Sequence, residues 1–331
     1  MAELVAAVPL LRADQAEQRY NAALQTAVEA CAADTEGQTC YICLEAVAPE
    51  SNEGLVRGCA CRGAAGVAHV SCLARQAQVA VERRKRGAGG PGFLRWSTCG
   101  LCKQEYHGVV HCALGWACWK TYLSRPERDW VRMYAMSTLG NGLHSVNRFK
   151  DAVAVKEAEL AMERRVGDAN GVLIVQGNLA LSYLSLRRYE DASRMQRDVY
   201  SGRMKLNGEE HFETLLAANN YADSLRHRRH FERAKALLRK TLPMARRVLG
   251  ESHDLTLRMR WNYAEALHRD PDATLDDLRE AVATLEDMLR IARRVMGGAH
   301  PLVEAFETSL RDARAALSAR ETAETPSGRS A

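Results

Sequence analysis

Residues 40–72 read CYICLEAVAPESNEGLVRGCACRGAAGVAHVSC, and residues 99–102 read CGLC. Seven cysteines and one histidine in these segments form four close pairs: Cys40 and Cys43, Cys59 and Cys61, His69 and Cys72, Cys99 and Cys102. A tight turn can bring both members of such a pair within about 2.0–2.3 Å of one zinc ion. Eight ligands at this spacing predict two tetrahedral zinc sites.

The region between Cys40 and Cys102 contains few large apolar side chains, so it cannot build a conventional core. We therefore expect bound metal to supply its folding energy. A disulfide framework is the alternative, but it requires a secretory context. Met1 to Arg12 has an acidic Glu3 and no basic residue before Arg12, unlike a secretory or mitochondrial presequence. The chain has ten cysteines, most of them at metal spacing, which indicates a reducing compartment, cytosol or nucleus.

The order of the pairs resembles one zinc-finger family. The second pair is Cys-x-Cys, and the single histidine is the fifth ligand. The stretch resembles the RING-CH (RINGv) finger of membrane-associated and viral ubiquitin ligases. The resemblance extends to the residues around the ligands: Gly58-Cys59-Ala60-Cys61-Arg62-Gly63, His69-Val70-Ser71-Cys72-Leu73 and Cys99-Gly100-Leu101-Cys102-Lys103.

This resemblance implies an interleaved cross-brace. One zinc would be bound by Cys40, Cys43, His69 and Cys72, and the other by Cys59, Cys61, Cys99 and Cys102. A PHD finger that reads histone tails uses the same eight ligands and is the weaker alternative. It places a tryptophan two residues before the seventh ligand, where this chain has Ser97, with Trp96 one place too early.

The resemblance also implies a partner, a ubiquitin-conjugating enzyme, and no catalytic residue in the chain itself. Three positions would contact that enzyme: Ile42, Gln76 and Lys103. Gln76 departs from the family, which usually has tryptophan four residues after the sixth ligand, and Gly100 replaces a proline common in RING domains. Trp96 is a candidate to fill the place of the missing tryptophan.

Length and composition bound the remaining possibilities. The 331 residues, 47% hydrophobic and 26% charged, predict two or three globular units. The formal charge of +5 is too small to indicate a nucleic-acid partner. The longest apolar run, residues 108–119, is shorter than the 18 or so residues that span a bilayer and contains His111. We therefore expect a soluble protein with no membrane association.

Three helices are predicted around the zinc ligands. Residues 13–33 show helical spacing of apolar residues and are expected to cover a neighbouring domain. Residues 72–86 are alanine-rich and end in a basic run, which is either a solvated loop or a nuclear import signal. Residues 108–123 form a connecting helix, in which Cys112 and Cys118 are expected to be core residues rather than nucleophiles. Ser124-Arg125-Pro126-Glu127 resembles a capping box and predicts a new helix start.

The second half of the chain repeats. Three triplets recur every 42 residues: Asn178-Leu179-Ala180, Asn220-Tyr221-Ala222 and Asn262-Tyr263-Ala264. A Gly-x-x-His pattern recurs at Gly208, Gly250 and Gly297, and Gly167 precedes the related Asn170. Small residues stand where paired helices must touch: Gly140, Ala180, Ala222 and Ala264 on the first helix, and Ala152, Ala192, Ala234 and Ala281 on the second. This pattern predicts stacked helical hairpins.

These repeats resemble tetratricopeptide repeats of the 42-residue form found in kinesin light chains. The predicted fold is thus mainly α: a small two-zinc RING-CH module followed by a helical-repeat solenoid. The expected divisions are an N-terminal helical segment (1–36), the zinc finger (37–107), a connecting helix (108–126), four repeats (127–300), a capping helix (301–319) and a disordered tail (320–331).

Two sets of repeated polar residues have different expected roles. Each Gly-x-x-His turn is most simply a helix C-cap glycine followed by entry into the next helix. By the resemblance, Asn178, Asn220 and Asn262 face the concave groove, where their amides would bind a peptide backbone. Repeat consensus without a binding function is the alternative.

Together these features predict a soluble RING-CH ubiquitin ligase, in the cytosol or nucleus, with two Zn²⁺ ions. Its repeats would recruit a protein substrate or an adaptor. The alternative is a non-enzymatic scaffold in which the zinc module is a rigid docking platform.

Overall fold

The computed structural model describes residues 13–85, 92–166, 168–296 and 301–324. These residues form α-helices and a 3₁₀ helix but no β-strand, which confirms the predicted mainly α class. None of the described helices is long and apolar enough to cross a membrane. The helices are α1 (Ala13–Thr35), α2 (Val70–Lys85), the 3₁₀ helix (Gly92–Trp96), α3 (Gly108–Tyr122), α4 (Trp130–Ser145), α5 (Phe149–Val166), α6 (Ala169–Ser185), α7 (Tyr189–Asn207), α8 (Phe212–His227), α9 (Phe231–Leu249), α10 (Asp254–His268), α11 (Leu275–Met296) and α12 (Pro301–Glu324).

The chain divides into two compact units, residues 1–186 and residues 187–331. In the first unit a single hydrophobic core extends from Ala16 on α1 to Met162 on α5. It includes residues of the zinc-binding region and three tryptophans, Trp96, Trp116 and Trp119, each at most 2% exposed. The predicted boundaries at 107/108 and 126/127 therefore fall within one continuous core.

Helix α3 is the centre of this core. It is buried around most of its circumference, as expected of a helix with neighbours on several sides. Burial raises the pKa of Cys112 to about 11 and raises the pKa of Cys118 well above its ordinary value. Neither thiol ionises readily, which agrees with the prediction that both are core residues.

Helix α1 contacts other elements of the first unit near both of its ends. Near its start, the Lys120 Nζ on α3 lies 2.9 Å from Glu17 Oε1 and 3.8 Å from the centre of the Tyr20 ring. Near its end, the Arg57 side chain lies 3.3 Å from Asp34 Oδ2 and donates to the carbonyl of Gly63 at 2.7 Å. The predicted covering role of this helix is therefore confirmed.

Helix α4 begins later than the capping-box pattern predicted. Its N-cap is Asp129, which accepts a hydrogen bond from the Val131 amide, and the helix starts at Trp130. Two turns precede it instead: the Arg125 amide donates to the Tyr122 carbonyl, and the Asp129 amide donates to the Pro126 carbonyl. The prediction of a helix start at Ser124 was wrong: serine and aspartate cap helices about equally well, and in the fold it is the Asp129 side chain that accepts an amide of the first turn.

Successive helices form hairpins with similar turns. Asn147, Arg187 and Arg229 each have φ between 58° and 60°, so a non-glycine residue takes the left-handed conformation in three turns. Between hairpins, Gly208 and Gly250 end their helices with φ of 82° and 90°, as predicted for C-cap glycines. His211 and His253 follow as N-caps, and the Nδ1 atom of each accepts a hydrogen bond from a backbone amide of the next helix. Asp168 rather than Asn170 caps α6, and residues 297–300 lie outside the described part of the chain.

The second unit contains helices α7 to α12. Its main core joins α8, α9, α10 and α11 to Val303, Phe306 and Leu310 on α12. The loop between α10 and α11 is anchored by Asp270, whose carboxylate lies 3.1 Å from Lys235 Nζ on α9. Helix α12 continues to Glu324, five residues beyond the predicted end, and Arg320 donates to the Ala273 carbonyl. Residues 325–331 are not among those described.

Candidate metal centre and adjoining groove

The eight predicted ligands lie in two groups in the first unit. Within each group, one side-chain ligand atom of every member lies within 4.8 Å of the others. Four such atoms from thiols and an imidazole are the donor set of a structural zinc site. The groups are Cys40, Cys43, His69 and Cys72, and Cys59, Cys61, Cys99 and Cys102.

Both Cys-x2-Cys pairs occupy the same type of turn. The amides of Ile42 and Leu101 donate to the sulfurs of Cys40 and Cys99, each at 3.4 Å. The fifth residue of each turn, Leu44 or Lys103, has φ of 69° or 63°. Amide donation to sulfur favours the thiolate form that binds metal. We call these two turns the zinc knuckles, residues 40–44 and 99–103.

The loop after the second Cys pair packs closely against the sulfurs of the second group. Gly66 has φ of 78°, and a Cβ atom there would lie 2.9 Å from Cys59 Sγ and 2.6 Å from Cys61 Cβ. Only glycine combines this backbone conformation with so close an approach. The Arg57 contact to Gly63 holds the same loop.

The first group is positioned by the start of helix α2. His69 Nδ1 lies 3.4 Å from Cys43 Sγ and 3.7 Å from Cys72 Sγ, so this ring nitrogen faces the ligands. The carboxylate of Glu53 accepts the Ser71 amide at 3.1 Å and thereby caps α2. Glu53 is buried, and the helix it caps carries Cys72. Glu53 is not among the predicted site residues, because it is 18 residues before Ser71 and no sequence pattern connects the two.

A groove of about 560 Å³ lies between the zinc knuckles and α2. We call it the knuckle groove. Its apolar lining includes Ile42, Leu101 and Val79, which are 36–48% exposed. Its polar lining includes Gln76 and three arginines: Arg75, Arg83 and Arg95. Of the predicted enzyme contacts, Ile42 and Gln76 thus line one groove.

Gln76 and Gly100 are adjacent in this groove. Tyr41 Oη lies 3.5 Å from Gln76 Oε1. A Cβ atom on Gly100 would lie 2.8 Å from Arg95 Nη1 and 3.3 Å from Gln76 Oε1. The missing side chain at Gly100 therefore makes room for the Arg95 guanidinium. Trp96 is fully buried against Tyr122, so the idea that it fills the place of the missing tryptophan at the surface was wrong.

Lys103, the third predicted enzyme contact, is exposed on its knuckle. Its ammonium donates to the Gly100 carbonyl at 2.5 Å. Because this contact is local and exposed, the side chain can exchange it for a contact with a partner at little cost.

The three repeated asparagines differ in environment. Asn178 on α6 is half-buried, and its backbone carbonyl accepts a hydrogen bond from Lys156 Nζ at 3.2 Å. Asn220 on α8 is also half-buried. Asn262 on α10 is 6% exposed, and its amide donates to Asn219 Oδ1 at 3.0 Å. In the second unit, the side-chain hydrogen bond between α8 and α10 is therefore made by Asn219, the residue before Asn220.

Both halves of the chain are similar to known protein families. The sequence model described as RING-variant domain matches residues 40–86, which include six of the eight ligands. The model described as tetratricopeptide repeat matches residues 172–213 and 214–254. No curated protein sequence matches the chain.

Three solved structures are similar in outline. Two crystal structures of kinesin light chain TPR-like repeats from Podosopora anserina have TM-scores of 0.49 and 0.48 and are 17% and 16% identical. They cover 68% and 69% of this chain, and the matches include 97% and 98% of those chains. BtubC (BKLC) from P. vanneervenii has a TM-score of 0.45 at 16% identity, with 79% of this chain and 96% of that chain covered. On the family matches, the chain carries a RING-variant domain followed by tetratricopeptide repeats, as its motifs predicted.

Proposed function

We propose that this protein is a RING-type ubiquitin ligase that binds two zinc ions, docks a ubiquitin-conjugating enzyme on its zinc module and recruits a protein through its repeats. The observation that carries the proposal is the knuckle groove, an apolar surface between two four-ligand clusters. Exposed apolar residues on a surface held by metal are suited to binding a partner.

Zinc has a structural role in this proposal, because each cluster uses all four positions of a tetrahedral site for protein ligands. The protein forms no covalent bond with ubiquitin. It holds the conjugating enzyme and the incoming lysine in a productive arrangement, which lowers the entropic part of the barrier. Ile42 and Leu101 supply apolar contacts, and Lys103 supplies a charge beside them.

A reconstituted reaction tests the proposal. The zinc-loaded full chain is mixed with activating enzyme, ubiquitin, ATP and each of several conjugating enzymes, and ubiquitin chains are detected by gel. Transfer that depends on the chain and is reduced by Ile42→Ala supports the proposal. No transfer with any conjugating enzyme would reject it.

A non-enzymatic scaffold is the second candidate, and one specific feature favours it. At the position where the RING-CH family has tryptophan, Gln76 lies close to Tyr41 Oη and within a groove that also contains Arg95. The groove therefore has a more polar floor than the family pattern. In this case the chain would bind proteins at the knuckle groove without stimulating transfer.

A further inference from the structure

A second groove, of about 720 Å³, lies entirely within the first unit and is separate from the knuckle groove. One wall comes from the spacer between the sixth and seventh zinc ligands, through Phe93 and Leu94. Helices α4, α5 and α6 supply the opposite wall and the floor. We call it the module–repeat groove. Its size is in the range of established ligand pockets, about 300–1,000 Å³.

The rim of this groove is apolar and accessible. Leu94, Tyr134, Ile174 and Leu181 line it and are 41–61% exposed. They belong to three separate elements, the 3₁₀ helix, α4 and α6. Large apolar side chains that converge on one groove from different elements are suited to receive apolar side chains of a partner.

The floor contains a buried ammonium group without a carboxylate partner. Lys156 is 2% exposed, and its Nζ donates to the backbone carbonyl of Asn178 and to Ser182 Oγ, each at 3.2 Å. No carboxylate of the described residues lies within 4.0 Å of it, and one of its three N–H groups remains unused. A buried charge without a counter-ion is costly, so a ligand carboxylate there would be stabilised.

The nearest acid does not neutralise this ammonium. Burial lowers the pKa of Lys156 to about 8, so at neutral pH it is still mostly protonated. Burial raises the pKa of Glu159 to about 8, and its carboxyl group, bonded to Ser137, is therefore mostly uncharged at neutral pH. Glu105 also lines the groove, but it is exposed to solvent, which screens its interaction with Lys156.

Three more polar groups of the floor lack partners. His111 is 7% exposed, and its buried Nε2 has no hydrogen-bond partner among the described residues. The side-chain amides of Asn141 and Asn178 line the same groove, and neither has a hydrogen bond to any residue that the structure describes. A buried polar atom in a native protein is nearly always paired, so His111 Nε2 indicates a missing hydrogen-bond partner. The two half-buried amides lie in the same groove and can bind the same ligand.

We propose that the module–repeat groove binds an extended segment of a partner protein in which an acidic side chain is flanked by large apolar residues. The carboxylate would contact Lys156 and His111, the backbone would contact the amides of Asn141 and Asn178, and the apolar residues would contact the rim. Tetratricopeptide repeats bind proteins, which favours a peptide over a small molecule. The inference does not require that the zinc module transfers ubiquitin.

Peptide binding to the zinc-loaded full chain tests the inference. The probes are three fluorescent pools of ten-residue peptides whose flanking positions are randomised among Leu, Ile, Phe and Val. The first has a central Glu and blocked ends, the second a central Gln and blocked ends, and the third a central Gln and a free terminal carboxylate. We expect the Glu pool to bind at least tenfold more tightly than either Gln pool in fluorescence polarisation.

Two variants locate the binding. Lys156→Met should remove the preference for Glu, so that the first two pools bind equally. Leu94→Asp should weaken binding of the Glu pool at least tenfold, while Leu206→Asp, at an apolar residue of α7 that is also more than half exposed, should not. Leu94 is exposed, so its change leaves folding intact even if Lys156→Met does not fold.

Three outcomes would overturn the inference. The wild-type chain could bind the Glu and blocked Gln pools equally. It could bind the free-carboxylate pool best, which would make the groove a receptor for chain ends. Leu94→Asp and Leu206→Asp could have the same effect, which would place the binding surface elsewhere.

Discussion

Gly142 on α4 lies directly against the backbone of His111 on α3. A Cβ atom at Gly142 would come within 2.8 Å of the His111 carbonyl oxygen and 3.1 Å of the Cys112 Cα. Gly115 makes the reciprocal approach from α3, with the Leu139 Cα 3.2 Å from its would-be Cβ. The two helices therefore pack with their backbones in contact, and this contact joins the connecting helix to the first repeat.

Gly142→Ala should destabilise the first unit by about 1–3 kcal/mol, because the extra methyl group forces two backbones apart. The measurement is the melting temperature of the zinc-loaded chain. Gly177→Ala on α6 is the matched control, since a Cβ there meets no heavy atom within 4 Å. It should be neutral or stabilise the protein by up to about 1 kcal/mol, because alanine favours helices. Equal effects of the two changes would contradict the close packing.

Elemental analysis should find two zinc ions per chain, and Cys59→Ser should reduce this number. Loss of a site removes a folding contribution of about 10–16 kcal/mol in small metal-dependent modules. Hydrogen exchange should then show lost protection in residues 40–107 and in α1 and α3, which share one core. The unit of residues 187–331 has its own core and should stay protected.

The control for this experiment is Cys31→Ser. Cys31 is a buried cysteine outside both clusters, and its Sγ contacts the Arg57 carbonyl at 3.5 Å. A serine hydroxyl can make a similar contact, so the variant should retain both ions. One zinc ion or none in the wild-type chain would contradict the cross-brace.

Ile42→Ala and Lys103→Ala should each reduce ubiquitin transfer without releasing zinc. Lys103 has φ of 63°, where lysine and alanine are strained alike, so Lys103→Ala removes the charge without changing the backbone preference, and Lys103→Gly, which relieves the strain, is the comparison. We expect both Lys103 changes to reduce transfer equally. Gln76→Trp should raise activity, because Trp96 is buried and cannot supply the missing aromatic surface. Full activity of Lys103→Gly would mean that the charge has no role.

The asparagines should separate into structural and binding residues. Asn262→Ala should lower the free energy of unfolding by about 0.5–1.5 kcal/mol, because it breaks the buried hydrogen bond to Asn219. Asn219→Ala should cost at least as much, because Asn219 also donates to Asn220 Oδ1. The two costs should not add fully, since the bond between Asn219 and Asn262 is lost in both. Asn178→Ala should leave the melting temperature unchanged and weaken peptide binding. Unchanged binding for Asn178→Ala would mean that its amide does not contact the peptide.

Glu159→Gln should change the pH dependence of stability. The folded pKa of Glu159 is raised from 4.5 to about 8, so the unfolded chain ionises first as pH increases. Wild-type stability should therefore fall as pH rises from about 4.5 to about 8. The free energy of unfolding of the Gln variant minus that of wild type should be larger at pH 7.5 than at pH 5.5. The increase should be at most about 3 kcal/mol, the limit for one proton. Taking this difference cancels the acid sensitivity that the zinc ligands give both proteins. A difference that does not change with pH would show that the Glu159 carboxyl is ionised in the fold.

The features predicted correctly from sequence are those with a local pattern. The Gly208 and Gly250 caps follow from residues a few positions apart, and so does the mainly α class. The helix start at Asp129 was missed because two candidate caps stand within six residues. Only the fold decides whether the Ser124 or the Asp129 side chain can accept a hydrogen bond from an unpaired backbone amide.

The long-range contacts could not be predicted. Arg57 joins α1 to the loop of Cys59, and Glu53 caps a helix that begins 17 residues later. Neither spacing has a periodic signal, because each contact depends on how separate elements are brought together. The same reason explains Trp96: it looks like a surface aromatic beside a zinc ligand, but α3 covers it.

The continuous core from α1 to α5 has a geometric consequence for the proposed ligase. In enzymes whose recruiting domain hangs on a flexible linker, the effective concentration of target lysines depends on linker length, and many lysines are sampled. Here no linker separates the knuckle groove from the module–repeat groove, since both belong to one packed unit. A protein held in the second groove would therefore present lysines at a fixed distance from the first. Lysines at one separation from the bound acidic residue would be modified and others spared. The geometry of the first unit would thus select which lysines of the partner receive ubiquitin.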